Sequence, residues 1–170
     1  MMTPLKTERL TIREFTHNDV EFHLILMNTP LYIQNIGDRS IRTIVDADAY
    51  SRKIIASYKS NGYGQYAVVL GNTETVIGMS GLIRRDNLPH PDIGFGFLPE
   101  YMGKGYALEA SQAVLKYAKN ELKLHQILGI TNPENKPSIN LLKKLGLVFE
   151  KAITWGEESE PALLLSNQPH

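Results

Sequence analysis

The chain has 170 residues, 42% of them apolar, which suits one compact domain spanning residues 1–170 rather than two. Eighteen basic residues balance eighteen acidic ones, so the basic excess that nucleic-acid or anionic-membrane partners usually leave is missing. With no cysteine, disulfides, thiolate zinc sites and a cysteine nucleophile are excluded together.

Residues 1–10 contain Lys6, Glu8 and Arg9 and lack the apolar run of a signal peptide. No stretch approaches the roughly 20 apolar residues that span a bilayer. The expectation is a cytoplasmic protein. Leu10 and Ile12 alternate with Thr11 and Arg13, as in a half-buried first strand. Thr16 and Asp19 have the spacing of a capping box, and Val20, Leu24 and Met27 continue at helical period until Pro30 closes the helix. Tyr50, Ile54 and Tyr58 mark a second helix, with Gly62 as its C-terminal cap.

The period then changes to that of strands. Residues 66–70, the turn Gly71-Asn72 and residues 76–83 predict a β-hairpin. Residues 84–91 form a loop, residues 92–98 a fourth strand, and Pro99 ends it. Ala107, Ala110, Val114, Tyr117 and Ala118 give a helical stripe, and residues 126–131 a further strand. Pro137 fits the first turn of a helix that Gly146 caps, and two strands follow around Phe149 to Trp155 and Ala162 to Ser166. This order predicts an α+β fold or a mixed sheet.

The most informative stretch is Glu100-Tyr101-Met102-Gly103-Lys104-Gly105-Tyr106-Ala107, between a strand and a helix. Gly103 and Gly105 allow unusual torsions and close backbone approach, and the helix dipole adds partial positive charge. An anion suits such a turn. The P-loop code fails because Gly105 follows Lys104, and the dinucleotide code fails because Leu108 stands where Gly or Ala is required.

Residues 93–110, containing this turn, resemble the fourth strand, pyrophosphate loop and third helix of the GNAT superfamily of N-acyltransferases. The likeness is to its ribosomal-protein N-acetyltransferase-like (RimJ/RimL type) branch. Residues 131–138 and 142–147 are similar to that branch's segment after the fifth strand and its fourth helix. Thr7 to Arg13 resembles its opening strand. The resemblance implies a mixed, mostly antiparallel sheet of six to seven strands, splayed between the fourth and fifth and flanked by four helices. It also implies an N-acetyltransferase that moves an acetyl group from acetyl-CoA to a primary amine, either a protein N-terminus or a small molecule. Attack would be direct, in a ternary complex. A sensor that binds acyl-CoA without turnover is the alternative on the same fold. A homodimer is compatible with the branch.

The superfamily's loop code falls on Met102, Gly105 and Ala107, with Met102 departing from the usual first residue. Phe97, Leu98, Met102, Gly103, Lys104, Gly105, Tyr106, Ala107 and Asn135 are the coenzyme-binding positions that the resemblance implies. Asn135 also suits a helix cap. Many relatives have a Tyr acid where this chain has Leu142. The branch has Ser at Ser138, whose hydroxyl can donate to a departing thiolate or bond its own backbone. Asp92 stands where the branch often has a carboxylate and is the candidate base, against the plainer reading of a solvated strand-end acid. His90 is the next candidate, against that of an exposed bystander. Glu109 matches the branch and reads as structural. The acceptor loops would be residues 28–45 and 155–160. His17, His23, His125 and His170 show no metal-ligand spacing, so no metal is expected.

Overall fold

The computed structural model describes residues 2–168, and His170 lies outside them. An eight-stranded sheet runs through the molecule in the order β1-β2-β3-β4-β5-β6-β8-β7. Its strands are β1 (Leu5–Lys6), β2 (Leu10–Glu14), β3 (Gln65–Leu70), β4 (Val76–Ile83), β5 (Asp92–Phe97), β6 (Leu128–Thr131), β7 (Val148–Trp155) and β8 (Glu160–Ser166). Among the described residues five helices accompany it: α1 (Val20–Met27), α2 (Pro30–Asn35), α3 (Ile44–Asn61), α4 (Tyr106–Asn120) and α5 (Lys136–Lys144).

The sheet therefore exceeds the six to seven strands expected, and the helices exceed four. The added strand β1 has two residues, paired with Ile12 and Thr11, too few to leave an alternating pattern. Pro30 does not simply close a helix but sits in the first turn of α2. Its fixed φ and missing N–H serve a helix start as well as a helix stop. The capping box of Thr16 and Asp19 is formed, on a short 3-10 turn that leads into α1. Gly62 at φ +81° ends α3, and Gly146 at φ +92° follows α5. A second capping box, Thr43 with Asp46, opens α3.

Helices α4 and α5 cover one face, where Ala110, Val114 and Leu142 pack on Tyr66, Leu82 and Phe97. Helices α1 to α3 cover the other, where Phe22, Leu26, Tyr32 and Ile54 pack on Ala67 and Met79. A buried 2.9 Å hydrogen bond between Ser80 and Ser111 hydroxyls joins β4 to α4. The Tyr58 hydroxyl donates to the Gln65 carbonyl and accepts from the Phe15 N–H, pinning α3 to the sheet.

All neighbouring strands are antiparallel except β5 and β6. That parallel pair meets at one register position, Asp92 opposite Leu128, with the Leu128 N–H donating to the Pro91 carbonyl at 2.9 Å. Beyond it the strands diverge, while β6 stays paired with β8 along all four residues. The expected splay is present, and it falls between β5 and β6.

One buried group sets a pH limit on this fold. His23 on α1 is fully buried among the rings of Phe15, Phe22 and Tyr50, and its Nδ1 lies 2.6 Å from the Ser51 hydroxyl. Its Nε2 has no partner among the described residues. Burial pushes its pKa from the ordinary 6.5 down to about 4, although Asp19 pulls the other way. The unfolded chain thus binds this proton first, so the neutral imidazole's contribution is intact above about pH 6.5 and lost as pH falls toward 4. Between pH 7 and 4.5 the cost is about 2.5 kcal/mol. Denaturant unfolding at these two pH values should show that loss in the wild type and a loss smaller by that amount in His23→Leu. Equal losses in the two proteins would contradict the assignment.

Candidate functional site

Strand β5 leads through a 3-10 turn (Pro99–Tyr101) into residues 102–105, and α4 begins at Tyr106 with Gly105 as its N-cap. Gly103 and Gly105 adopt φ of +73° and +83°, a region that costs residues with a Cβ and that glycine enters freely. Among the described residues no side chain caps α4. The N–H groups of Gly103, Lys104, Gly105, Tyr106, Ala107 and Leu108 have no acceptor among the described residues. Six donors therefore gather at the positive end of a helix dipole. The Met102 side chain is 41% exposed, and its N–H bonds the Pro99 carbonyl.

The second component is the free edge of β5. The Leu98 N–H bonds the Ile77 carbonyl, continuing the β4–β5 register, so alternation along the ladder turns the N–H and C=O of Ile93, Phe95 and Phe97 away from β4 toward the gap before β6. Phe97's ring is buried against Gly78, leaving its main chain as the part that faces the gap. Leu98 spends its N–H on Ile77 and its carbonyl on Tyr101.

The third component is α5, which follows β6 as α4 follows β5. Since these strands are parallel, both helices start at the carboxyl ends of the diverging pair, where open sheets hold ligands. Asn135 caps α5 by accepting the Ser138 N–H at 3.3 Å. The Ser138 hydroxyl is half-buried and bonds no group among the described residues. Leu142 is buried against Gly129 of β6, so the position where the resemblance expects a tyrosine in many relatives belongs here to the core.

Asp92 stands where β5 and β6 part. It is 3% exposed, not a solvated strand end, and Arg85 donates to it through Nε at 2.8 Å and Nη2 at 3.4 Å. Burial raises the Asp92 pKa, and the Arg85 hydrogen bonds only partly offset that rise. The Arg85 guanidinium also lies over the Trp155 ring at 5.1 Å. Asp92, Gly94 and Gly96 share the face toward α1–α3, where a Cβ on Gly96 would meet Tyr32 at 3.5 Å. His90 lies in the loop before β5, beside a shallow cavity of about 380 Å³ lined by Arg84, Arg85, Leu88 and Leu124. That cavity is at the opposite end of β5 from the glycines.

One residue, Gln65, escaped the sequence reading, and the partners of Glu109, read there as structural, escaped it too. Gln65 is nine-tenths buried and extends over Gly94, yet its Oε1 has no partner among the described residues. Glu109 accepts from Thr7 and Arg9, so this acid joins the opening strand to α4. The signal was the presence of Thr7, Arg9 and Glu109 in separate matching blocks. Glu157 and Glu158 lie exposed in the β7–β8 turn. Among the described residues no acid or histidine cluster could hold a metal, and no helix is long and apolar enough to cross a membrane.

The sequence profile described as Acetyltransferase (GNAT) domain matches residues 9–148. YnaD, an uncharacterised N-acetyltransferase of Bacillus subtilis (strain 168), is 34% identical over 158 residues, covering 91% of this chain and 90% of its own. A GNAT-family acetyltransferase from Bacillus anthracis superposes with a TM-score of 0.81 at 28% identity, covering 96% of this chain and 97% of its own. RimL, a ribosomal L7/L12 alpha-N-protein acetyltransferase solved with coenzyme A, shares the fold at a TM-score of 0.85 and 14% identity, over 98% of both chains. With the glycine turn, the parted strands and the match over most of its length, the chain belongs to the GNAT acetyltransferase family.

Proposed function

We propose that this acetyltransferase takes its acetyl group from acetyl-CoA and delivers it to a primary amine, on a protein N-terminus or a small molecule, by direct attack in a ternary complex. The observation that carries the reading is the set of six unpartnered N–H groups at residues 103–108, placed beside the free edge of β5. A pyrophosphate, an anion with several acceptor oxygens, suits those donors. The extended pantetheine arm, itself built of amides, matches the main-chain groups of Phe95 and Phe97 that face the gap. Lys104, Tyr106, Ala107, Met102 and Leu98 complete the coenzyme's surroundings, and Asn135 borders it from α5. RimL, with its bound coenzyme A, supports the donor class and the RimJ/RimL-type branch.

Three tasks remain once the donor is bound: removing a proton from the ammonium, stabilising the oxyanion, and accepting the thiolate. Asp92 is the base, directly or through water. Its raised pKa keeps it a better proton acceptor than an exposed carboxylate, and Arg85 holds its orientation. The Ser138 hydroxyl, free of main-chain bonds, donates to the departing sulfur, and the first turn of α5 favours negative charge there. The amine approaches from the α1–α3 face, where Gly94 and Gly96 leave β5 without side chains.

Calorimetry should show binding of acetyl-CoA and none of comparable strength for ATP, and a screen of primary amines should release coenzyme A. Failure to bind acetyl-CoA would refute the donor, and binding without turnover of any amine would favour the sensor. Gly105→Val should weaken acetyl-CoA binding, because a branched residue opposes φ +83° and its Cβ would lie 3.2 Å from Arg9 Nη2. Unchanged affinity would remove the loop from the site.

The catalytic assignments are tested separately. Asp92→Asn should lower kcat at neutral pH about a hundredfold with the acetyl-CoA Kd nearly constant. Ser138→Ala should also lower kcat at constant Kd, as expected for a contact made mainly in the transition state. Full activity in either variant would reassign that residue, to a structural ion pair for Asp92 or to helix initiation for Ser138.

A further inference from the structure

Arg9 is distant in sequence from every residue of the glycine turn, yet its side chain reaches the turn's backbone. Its Nη1 donates to the Lys104 carbonyl at 2.9 Å, and its Nε donates to Glu109 Oε1 at 2.7 Å. Glu109 Oε2 accepts the Arg9 main-chain N–H at 2.9 Å and the Thr7 hydroxyl at 2.6 Å. The guanidinium also lies over the Tyr106 ring, 4.5 Å from its centroid. The Arg9 carbonyl accepts from Gly71 at 2.7 Å, so the residue that holds the turn is itself fastened to the sheet. The hydrogen bonds of Thr7 and Arg9 keep the Glu109 carboxyl below its usual pKa range despite the opposing effect of burial.

This arrangement controls a donor that Arg9 does not touch. A trans peptide is planar, with its C=O and N–H pointing in opposite directions. Fixing the Lys104 carbonyl toward Arg9 therefore fixes the Gly105 N–H on the other side, among the six unpartnered donors. Glycines on both sides of Lys104 would otherwise let that peptide plane rotate at little cost. The next plane is set by a helix bond, because the Gly105 carbonyl accepts the Glu109 N–H at 3.1 Å and turns the Tyr106 N–H out of the helix end. One residue, Glu109, thus contributes to both settings.

We propose that Arg9, oriented by Glu109, is a positioning residue that presets the Lys104–Gly105 peptide so that its N–H faces the coenzyme's pyrophosphate. The inference rests on the coenzyme reading above and adds to it a device for preorganisation. The charge of Arg9 is not what acts. The guanidinium's planar fork can hold Glu109 and the Lys104 carbonyl at once, which a lysine ammonium cannot reproduce.

Calorimetry of coenzyme A binding to wild type, Arg9→Lys, Arg9→Met and Glu109→Gln, at a temperature where each is folded by circular dichroism, tests this. Losing an oriented, charge-assisted donor predicts about a ten- to hundredfold rise in Kd. Arg9→Lys should fall close to Arg9→Met, with Glu109→Gln between them and wild type. In ¹⁵N-labelled protein the coenzyme-induced shift of the Gly105 amide should shrink in Arg9→Lys. Arg9→Lys binding within twofold of wild type would show that positive charge suffices and overturn the proposal. Undiminished binding by Arg9→Met would overturn it as well. Wild type that fails to bind coenzyme A would refute the donor assignment itself, a result distinct from either.

Discussion

The early parting of β5 from β6 is the constraint on which the rest of the structure depends. A parallel strand pair normally continues its ladder, because unpaired N–H and C=O groups between strands are costly. Here one register pair is made and then abandoned, and β6 gives its other edge to β8 instead. The groups left on β5 have no strand partner among the described residues, and under the proposed function the amide-bearing arm of the coenzyme would supply one. The topology serves this opening. Inserting β8 between β6 and β7 fastens β6 from outside, so the gap can stay open without loosening the carboxyl-terminal half.

The strand pair at the gap also sets where two helix N-termini fall. Each of the parted strands is followed by a helix, and parallel direction brings both helix starts to the same side. One start is capped by a side chain, Asn135, and the other by none among the described residues. A helix end without a cap leaves donors exposed, a local weakness that is consistent with a site for a ligand. Under the proposed function recognition there would use main chain, so the departure of Met102 from the usual residue of GNAT relatives would cost little; Met102 itself is exposed. Asp92 follows a different logic, since burial and an arginine act on it in opposite senses, a balance common at groups that move protons.

Local chemistry was legible in the sequence. The helix caps at Thr16, Gly62 and Gly146, the β3–β4 hairpin and the glycine turn all depend on residues within a few positions of each other. Properties that depend on distant packing were not. Nothing near Pro30 says whether it ends one helix or begins the next; in the fold it begins α2, whose Tyr32 packs into the core near Gly96. The sequence offers Asp92 as a candidate base or a solvated strand-end acid, and its burial beside Arg85 depends on the sheet closing over it. The bond from Arg9 to Lys104 joins segments 95 residues apart, beyond any local pattern. The order of β6, β8 and β7 likewise has no local signature, because swapping the two hairpin strands would preserve every alternation.

The proposed function turns on main-chain N–H groups of the glycine turn receiving the donor's pyrophosphate. A ¹H–¹⁵N correlation titration of wild-type protein with acetyl-CoA tests it most directly, because each amide reports for itself. The account predicts that the largest shifts fall on the amides of Gly103, Lys104, Gly105, Tyr106 and Ala107, with smaller shifts at Phe95 and Phe97. Saturable shifts confined to other regions, such as the loop around His90, with the glycine turn unmoved, would contradict it.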